Sequence, residues 1–145
     1  MRGFFEIGVF HSKTEFNIGT LWRSAYQLGA AGVFVIGRRY DRQASDTYKA
    51  WRHIPLREFS DLDMLLASLP YSTKLVGVEM GGVPLATYEH PERCIYLLGA
   101  EDTGLPDAVL GRCHDVVSIE AIRRASYNVA VAGSLVMYHR LLQKG

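Results

Sequence analysis

The chain has 145 residues, a length that suits one compact domain (residues 1–145) with a sizeable buried core. Its composition, 48% hydrophobic and 21% charged with a formal net charge of +1, is typical of a soluble globular protein and excludes a disordered one. No apolar run reaches the roughly 20 residues that a membrane span requires, so we expect no membrane association.

The predicted elements alternate between strands and helices. A strand over FFEIGVF (4–10) is followed by a helix from Asn17, whose apolar residues recur at helical spacing, and then by a strand over VFVIG (33–37). A polar loop follows, and Ser60 with Asp63 forms a capping box before the next helix. The remaining predicted elements are a helix over LDMLLASL (62–69), strands over KLVGVEM (74–80) and CIYLLG (94–99), a short helix from Pro106 to near Cys113, a strand over DVVSIE (115–120) and a long helix from about Tyr127 to Gln143.

This alternation predicts an α/β fold, a parallel-rich sheet flanked by helices. In such sheets, ligands bind at the carboxyl ends of the strands. We therefore expect functional residues where the predicted strands end and the next helices begin.

Cysteine and histidine spacing gives no sign of a metal site. Cys94 and Cys113 lie far apart and match no C-x-x-C pair, and the five histidines show no H-E-x-x-H spacing. We therefore predict no bound metal and a reducing, cytoplasmic location.

The charges are segregated along the chain although they nearly cancel. Residues 58–107 contain nine acids and two bases, whereas the remainder contains fourteen bases and six acids. The stretch 38–57 holds the densest basic group: Arg38, Arg39, Arg42, Lys49, Arg52 and Arg57. Segregation of this kind indicates a positive face and a polyanionic partner, with a solvated basic loop as the alternative.

The first motif, FNIGTLWR (16–23), opens the first predicted helix. Asn17 fits an N-cap, because its side-chain oxygen can accept from exposed helix amides. Gly19 and Arg23 are four residues apart on one face, and the missing side chain of Gly19 leaves room for the guanidinium to reach the helix entrance. There it could bind a phosphate or a developing anion through two donors. An exposed arginine on a surface helix is the alternative.

The second motif, LLGAEDTGLP (97–106), ends a buried strand at Gly99. Glycine at a strand end allows a ligand to approach the backbone closely. The chain contains neither G-x-G-x-x-G nor G-x-x-x-x-G-K-[ST], so a standard dinucleotide fold and an NTPase phosphate loop are both unsupported.

The third motif, RRASYNVAVAG (123–133), places polar residues at the mouth of an apolar helix. Ser126 could cap that helix, but a cap at Ser126 does not explain the amide of Asn128 or the two arginines upstream. We interpret this polar mouth as the wall of a pocket.

Together, N-I-G-T-L-W-R, L-G-A-E-D-T-G-L and S-Y-N-V-A-V-A resemble the three motifs of the SpoU–TrmH branch of the SPOUT RNA methyltransferases. Order and spacing agree from about residue 7 to residue 142. The resemblance implies a C-terminal trefoil knot, S-adenosyl-L-methionine (AdoMet) as the methyl donor and a ribose 2′-hydroxyl of RNA as the acceptor. It also implies a homodimer in which each subunit helps to form the other's site. The brevity of the chain is similar to that of the branch's minimal members, which favours tRNA over rRNA.

The resemblance also implies roles for individual residues. Its catalytic positions fall on Arg23, Asn17, Glu101, Ser126 and Asn128. Its cofactor-binding positions fall on Val78, Gly99, Ile119 and Ser126.

The chain departs from the family's pattern in three places. Tyr127 replaces the usual leucine of S-L-N, Glu120 replaces a proline after Ile119, and G-A-E-D replaces the frequent G-N-E-G. The first change keeps an apolar body, whereas the other two leave the conformation of the cofactor loop and the RNA contacts open.

Several alternatives stay open at this point. A catalytically inactive RNA-binding protein with the same fold would keep the architecture without the chemistry, and a small-molecule enzyme would have no use for the basic stretch. Trp22 and Tyr26, four residues apart, give the first helix a second apolar face that suits either a dimer interface or packing within the subunit.

Overall fold

A computed structural model describes residues 3–11, 15–37, 53–100, 103–124 and 126–145. Within these residues six strands form one sheet, in the order β3-β2-β1-β5-β4-β6, and every neighbouring pair runs parallel. The strands are β1 (Phe4–Phe10), β2 (Gly32–Ile36), β3 (Leu56–Phe59), β4 (Lys74–Pro84), β5 (Arg93–Gly99) and β6 (Asp115–Ser118). The helices are α1 (Glu15–Gln27), α2 (Leu62–Ala67), α3 (Asp107–Leu110) and α4 (Val129–Lys144), with a short 3-10 helix at Leu85–Thr87. The predicted parallel α/β sheet is confirmed.

The sheet separates two hydrophobic clusters because successive residues of a strand point to opposite faces. Along β5, Tyr96 and Leu98 pack on the face that α1 and α4 cover, whereas Ile95 and Leu97 pack on the face of α2 and α3. All five residues of β2 are buried as well. Coverage on both faces explains why the central strands read as continuous apolar runs rather than as alternating ones.

The edge strand β3 was not predicted, and the sequence analysis assigned its residues to a polar loop. Its four residues, LREF, are half-buried or exposed, and they contain no apolar run. The strand pairs only with β2, and Arg57 within it forms an ion pair with the buried Glu6 of β1. Pairing with a neighbouring strand, rather than local hydrophobicity, makes this segment a strand.

Several predicted helix boundaries were wrong by one or two residues. The N-cap of α2 is Asp61 and not Ser60, because the Asp61 carboxylate accepts from the Met64 amide at 2.9 Å. Pro106 is the N-cap of α3 rather than its first residue. Helix α1 begins at Glu15, so Asn17 lies inside its first turn and not at the cap.

The structure also bears on disulfides, membrane spans and metal sites. Cys94 and Cys113 are both free thiols. Within the described parts of the chain, no helix has the length and apolarity to cross a membrane, and no group of three or more His, Cys, Asp or Glu residues is placed to hold a metal ion. The trefoil knot implied by the resemblance stays a prediction.

Candidate active site

A cleft of about 270 Å³ lies at the carboxyl edge of the sheet, beside the N-terminus of α4. Three strands contribute to its walls at the points where β5 and β6 end and where β4 leaves its pairing with β5. The four residues predicted to bind the cofactor all line it: Val78, Gly99, Ile119 and Ser126. The remaining lining residues that the structure describes are Glu79, Met80, Leu98, Ala100, Thr103, Gly104, Ser118, Tyr127, Val129 and Ala132.

One wall of the cleft is a tight turn that follows β5. The Gly104 amide donates to the Ala100 carbonyl at 2.8 Å and folds the turn back onto the strand end. A Cβ added to Gly99 would lie 2.6 Å from the Leu105 nitrogen and 2.7 Å from the Gly104 Cα. The backbone of the turn therefore packs directly on Gly99, and this packing leaves no room for a side chain there.

Glu79 is a cleft residue that the sequence analysis missed. Its carboxylate accepts from the Leu105 amide at 2.7 Å and from the Met80 amide at 3.0 Å, so it holds the turn after β5 in place. Gly104, at a φ of +63°, lies against this carboxylate. Glu79 is the only charged side chain among the described residues of the cleft wall. The sequence feature that could have pointed to Glu79 is an acidic residue near the end of a predicted strand.

The polar mouth of α4 includes the cap of that helix, and the cap is Asn128 rather than Ser126, which the sequence offered as the capping alternative. The N-cap is Asn128, whose side-chain oxygen accepts from the amides of Ala130 at 3.0 Å and Val131 at 3.3 Å. Ser126 lies outside the helix, exposed on the cleft wall. Because Asn128 caps the helix, capping does explain this amide after all.

Asn128 also connects the two helices that carry the first and third motifs. Its side-chain nitrogen donates to the side-chain oxygen of Asn17 at 3.0 Å. Asn17 is 7% exposed, and Gly133 of α4 packs closely on Leu21 of α1. The structure therefore brings two predicted catalytic residues, 111 positions apart, into direct contact.

Arg23, like Asn17 and Asn128, is not among the described residues that line the cleft. It is half-buried on α1, about 9 Å along the helix axis from Asn17 at 1.5 Å per residue. Glu101 lies outside the described residues. Within a single chain, the structure thus gathers the predicted cofactor-binding residues in one cleft and leaves Arg23 apart from it.

Trp22 and Tyr26, which lie near Arg23 on α1, were expected either to form a dimer interface or to pack within the subunit. Trp22 is 4% exposed and donates from its indole nitrogen to the Ile54 carbonyl at 3.1 Å, so it packs within the subunit. Tyr26 is 39% exposed and stacks on the imidazole of His53, with ring centroids 4.5 Å apart. Of these two side chains, only Tyr26 therefore leaves apolar surface accessible on α1.

The predicted positive face falls largely outside the described residues, because the bases from Arg38 to Arg52 lie there. Arg57, the remaining base of that stretch, is paired with Glu6. Arg123 and Arg124 are exposed on the segment that joins two cleft residues, Ile119 and Ser126. They place positive charge in the chain segment that borders the cleft.

A second group of titratable residues lies at the opposite edge of the sheet. Burial, with the positive groups of His139 and Arg140 nearby, lowers the pKa of His90 to about 3. The His90 ring contacts the Tyr96 hydroxyl at 2.6 Å and the His139 ring nitrogen at 2.8 Å. The buried Arg140 donates to the Pro91 carbonyl at 2.8 Å and to the Tyr96 hydroxyl at 3.0 Å. These contacts dock the end of α4 on the loop before β5, a structural role.

The fold and the cleft define the class of protein: an α/β protein with a ligand site at the carboxyl edge of a parallel sheet. The chain belongs to the SpoU rRNA Methylase family, whose model matches residues 5–138. The resemblance drawn from the three motifs is thereby confirmed at the level of the family.

Curated relatives agree with this assignment. The chain is 30% identical over 131 residues to an uncharacterized tRNA/rRNA methyltransferase of Mycobacterium bovis, a match that covers 83% of this chain and 40% of the relative. An uncharacterized tRNA/rRNA methyltransferase of Mycobacterium tuberculosis matches to the same extent. The chain thus spans about 40% of the length of these curated relatives.

Solved structures share the fold over almost the whole chain. The SpoU methyltransferase AviRb from Streptomyces viridochromogenes superposes with a TM-score of 0.86 at 25% identity, covering 97% of this chain and 60% of AviRb. AviRb has also been crystallised with AdoMet. A protein from a structural study of 2-OH methylation of C/U34 on tRNA gives a TM-score of 0.85 at 24% identity and covers 99% of this chain and 97% of that one.

Proposed function

We propose that this chain is an AdoMet-dependent RNA methyltransferase that methylates a ribose 2′-hydroxyl, with tRNA favoured over rRNA as the substrate. The observation that carries the proposal is the meeting of Val78, Gly99, Ile119 and Ser126 in one cleft. These residues come from different elements, and each occupies a position that the family uses for the cofactor. The choice of tRNA is supported by the structural neighbour from a study of 2-OH methylation of C/U34 on tRNA, 97% of which this chain covers.

The residues of the cleft suit AdoMet in polarity and charge. Leu98, Ile119 and Val129 supply apolar walls for an adenosine, and the exposed backbone at Gly99 and the Ser126 hydroxyl supply hydrogen-bonding groups. The Glu79 carboxylate complements a ligand that carries a sulfonium and an ammonium group. When bound, AdoMet supplies a methyl carbon activated by the positive sulfur.

Arg23 then acts on the RNA. A guanidinium is always protonated in proteins, so Arg23 does not serve as the base. It would hold the phosphate next to the target ribose and stabilise negative charge on the 2′-oxygen, which would take the methyl group while the methyl–sulfur bond breaks and the neutral thioether leaves. The hydroxyl proton passes to a phosphate oxygen or to water. Holding both reactants in line lowers the activation barrier by roughly several kcal/mol, the scale known for oriented reactions.

The other catalytic candidates position groups rather than react. Asn128 and Asn17, bonded to each other, keep the entrances of α1 and α4 together. Ser126, exposed at the cleft, contacts the acceptor nucleotide. Glu101 lies outside the described residues; we assign it, from its match to the second motif, the role of orienting Arg23 or a backbone amide.

The proposed activity is tested by methyl transfer from labelled AdoMet to RNA. Label is expected in purified tRNA more than in purified rRNA, it should disappear after ribonuclease treatment, and digestion should release 2′-O-methylated nucleosides. RNA that binds without acquiring label would instead identify the catalytically inactive RNA-binding protein. Mapping of 2′-O-methyl sites after deletion of the gene would then identify the nucleotide.

We also propose that the enzyme is a homodimer with a shared site. An apolar stripe runs along the outer face of α4, at residues spaced four, three and four apart: Val131, Leu135, Tyr138 and Leu142, which are 47%, 38%, 51% and 68% exposed. A second copy of this chain would cover that stripe. The position of Arg23 outside the cleft of its own chain supports the same arrangement, because the partner's cleft can then receive it.

Replacement of Leu135 by glutamate tests the dimer. The glutamate would place a charge in the middle of a buried apolar contact. The dissociation constant of the dimer is therefore expected to rise at least about tenfold, the usual scale for losing a central interface side chain. Light scattering at micromolar concentration measures the change. Met64→Glu, at a site on α2 that is 53% exposed, is the matched control and should leave the mass unchanged. A monomeric wild-type protein would contradict the shared site.

A further inference from the structure

Two positions at which this chain departs from its family contact each other. The Tyr127 hydroxyl donates to the backbone carbonyl of Glu120 at 2.5 Å. The Glu120 carboxylate in turn accepts from the backbone amide of Ala86 at 3.0 Å. The family's usual leucine and proline at these positions have neither the hydroxyl nor the carboxylate. The two departures therefore form one connected set of hydrogen bonds.

These bonds close a segment of the cleft wall. Ile119 and Tyr127, the residues at the two ends of the segment, both line the cleft. The residues between them are exposed wherever the structure describes them, and Ile122 is 99% exposed, so apolar packing does not hold them. Tyr127 itself is partly buried against the core, which fixes its ring while its hydroxyl reaches Glu120.

The anchor of this segment is the short 3-10 helix after β4. Ala86 lies within Leu85–Thr87, whose first amides have no partner inside the helix. Leu85 is 6% exposed, which fixes this helix to the core. Backbone amides that donate to the Glu120 carboxylate lower its pKa, so the anchoring charge is present at neutral pH.

We propose that Glu120 and Tyr127 form a latch, which holds residues 119–127 in the cofactor-binding conformation before the cofactor arrives. They are positioning residues, and in this chain they replace the stiffness that a proline gives to relatives. A preformed loop binds more tightly because less freedom is lost on binding. This inference rests on the proposed function, because the shape of the segment affects the affinity for AdoMet only if AdoMet binds in this cleft.

Three variants separate the parts of the latch. Tyr127→Phe keeps the ring on the cleft wall and removes only the hydroxyl. Glu120→Ala removes the acceptor for the Ala86 amide, whereas Glu120→Gln keeps an oxygen that can accept it. Tyr71→Phe, at a tyrosine that is 93% exposed, is the matched control for the loss of a hydroxyl.

Hydrogen exchange of the ligand-free protein tests the latch directly. Glu120→Ala is expected to accelerate exchange of the Ala86 amide, and Tyr127→Phe should accelerate exchange across residues 119–127. Glu120→Gln and Tyr71→Phe should match the wild type. Unchanged exchange in both Glu120→Ala and Tyr127→Phe would overturn the latch whether or not the protein binds AdoMet.

Calorimetric titration with AdoMet then tests the consequence. Tyr127→Phe and Glu120→Ala should each raise the Kd for AdoMet about three- to tenfold, the range for one lost hydrogen bond, and the double variant should be little worse than either. The KM for AdoMet should rise while kcat at saturation stays near the wild-type value. Faster exchange with an unchanged Kd would overturn the positioning role. A wild-type protein that binds no AdoMet would overturn the proposed cofactor, and the exchange result would still decide whether the latch exists.

Discussion

Replacement of Arg23 by lysine is expected to lower methyl transfer to RNA about a hundredfold or more, the scale on which loss of one donor at a developing oxyanion acts. Lysine keeps the charge but presents a compact ammonium, which cannot bind a phosphate and an adjacent oxygen through a planar pair of donors. Because Arg23 does not line the cleft of its own chain and is proposed to act on the RNA in the partner's, its replacement should leave the Kd for AdoMet unchanged. Single-turnover transfer from labelled AdoMet, with calorimetric binding in parallel, measures both quantities.

The matched control is Arg112→Lys. Arg112 is exposed, it donates to the exposed Asp63 at 2.9 Å, and neither residue lines the cleft. This variant should transfer methyl groups at the wild-type rate. Equal activity in Arg23→Lys and the wild type would exclude the proposed role of the guanidinium, and a loss of AdoMet binding in Arg23→Lys would place Arg23 in the cofactor site instead.

Replacement of Gly99 by alanine is expected to abolish most AdoMet binding, with an increase in Kd of at least about tenfold. The added methyl group would lie 2.6 Å from the Leu105 nitrogen, and backbone cannot move aside as a flexible side chain can. The turn that Glu79 holds must therefore shift away from the strand and deform the cleft. Such overpacking costs about 1–3 kcal/mol of stability, so chemical unfolding should be measured beside calorimetric binding.

Gly111→Ala is the corresponding control. Gly111 has a φ of −65°, and a Cβ there would meet its nearest neighbour, the Asp107 carbonyl oxygen, at an ordinary 3.5 Å. This variant should bind AdoMet as the wild type does and should be equally stable. A Gly99→Ala protein that keeps the wild-type Kd would show that the turn after β5 does not shape the cofactor site.

The central strands and the long helices could be predicted from the sequence because their signal is local. β2 is an uninterrupted apolar run, and so is β5 from Cys94 to Leu98, as a sheet covered on both faces requires. Strand β1 is apolar apart from Glu6, and α1 carries its stripe at helical spacing. The cofactor candidates came from the resemblance to the family, and the strand pattern agrees with two of them. Gly99 ends a strand, Ile119 follows one, and parallel strands bring such ends to a common edge.

Side-chain partners across long separations could not be predicted in this way. The choice of Asn128 over Ser126 as the cap of α4 depends on the position of the helix's first residue, which its packing against α1 sets. Glu79 became a cleft residue only because the turn at Leu105 folds back to it, 26 residues later. The strand β3 exists because β2 offers it an edge, and nothing in LREF alone indicates a strand.

The sequence by itself determined the class of fold, the family and the set of polar residues at strand ends, because each of these depends on local patterns and on short motifs. Tertiary structure alone decided that the Val78, Gly99, Ile119 and Ser126 positions share one cleft, that Asn17 meets Asn128, and that Tyr127 reaches Glu120. Hydrogen bonds of this kind join atoms whose separation is set by how whole elements pack, and no pattern along the chain records that distance.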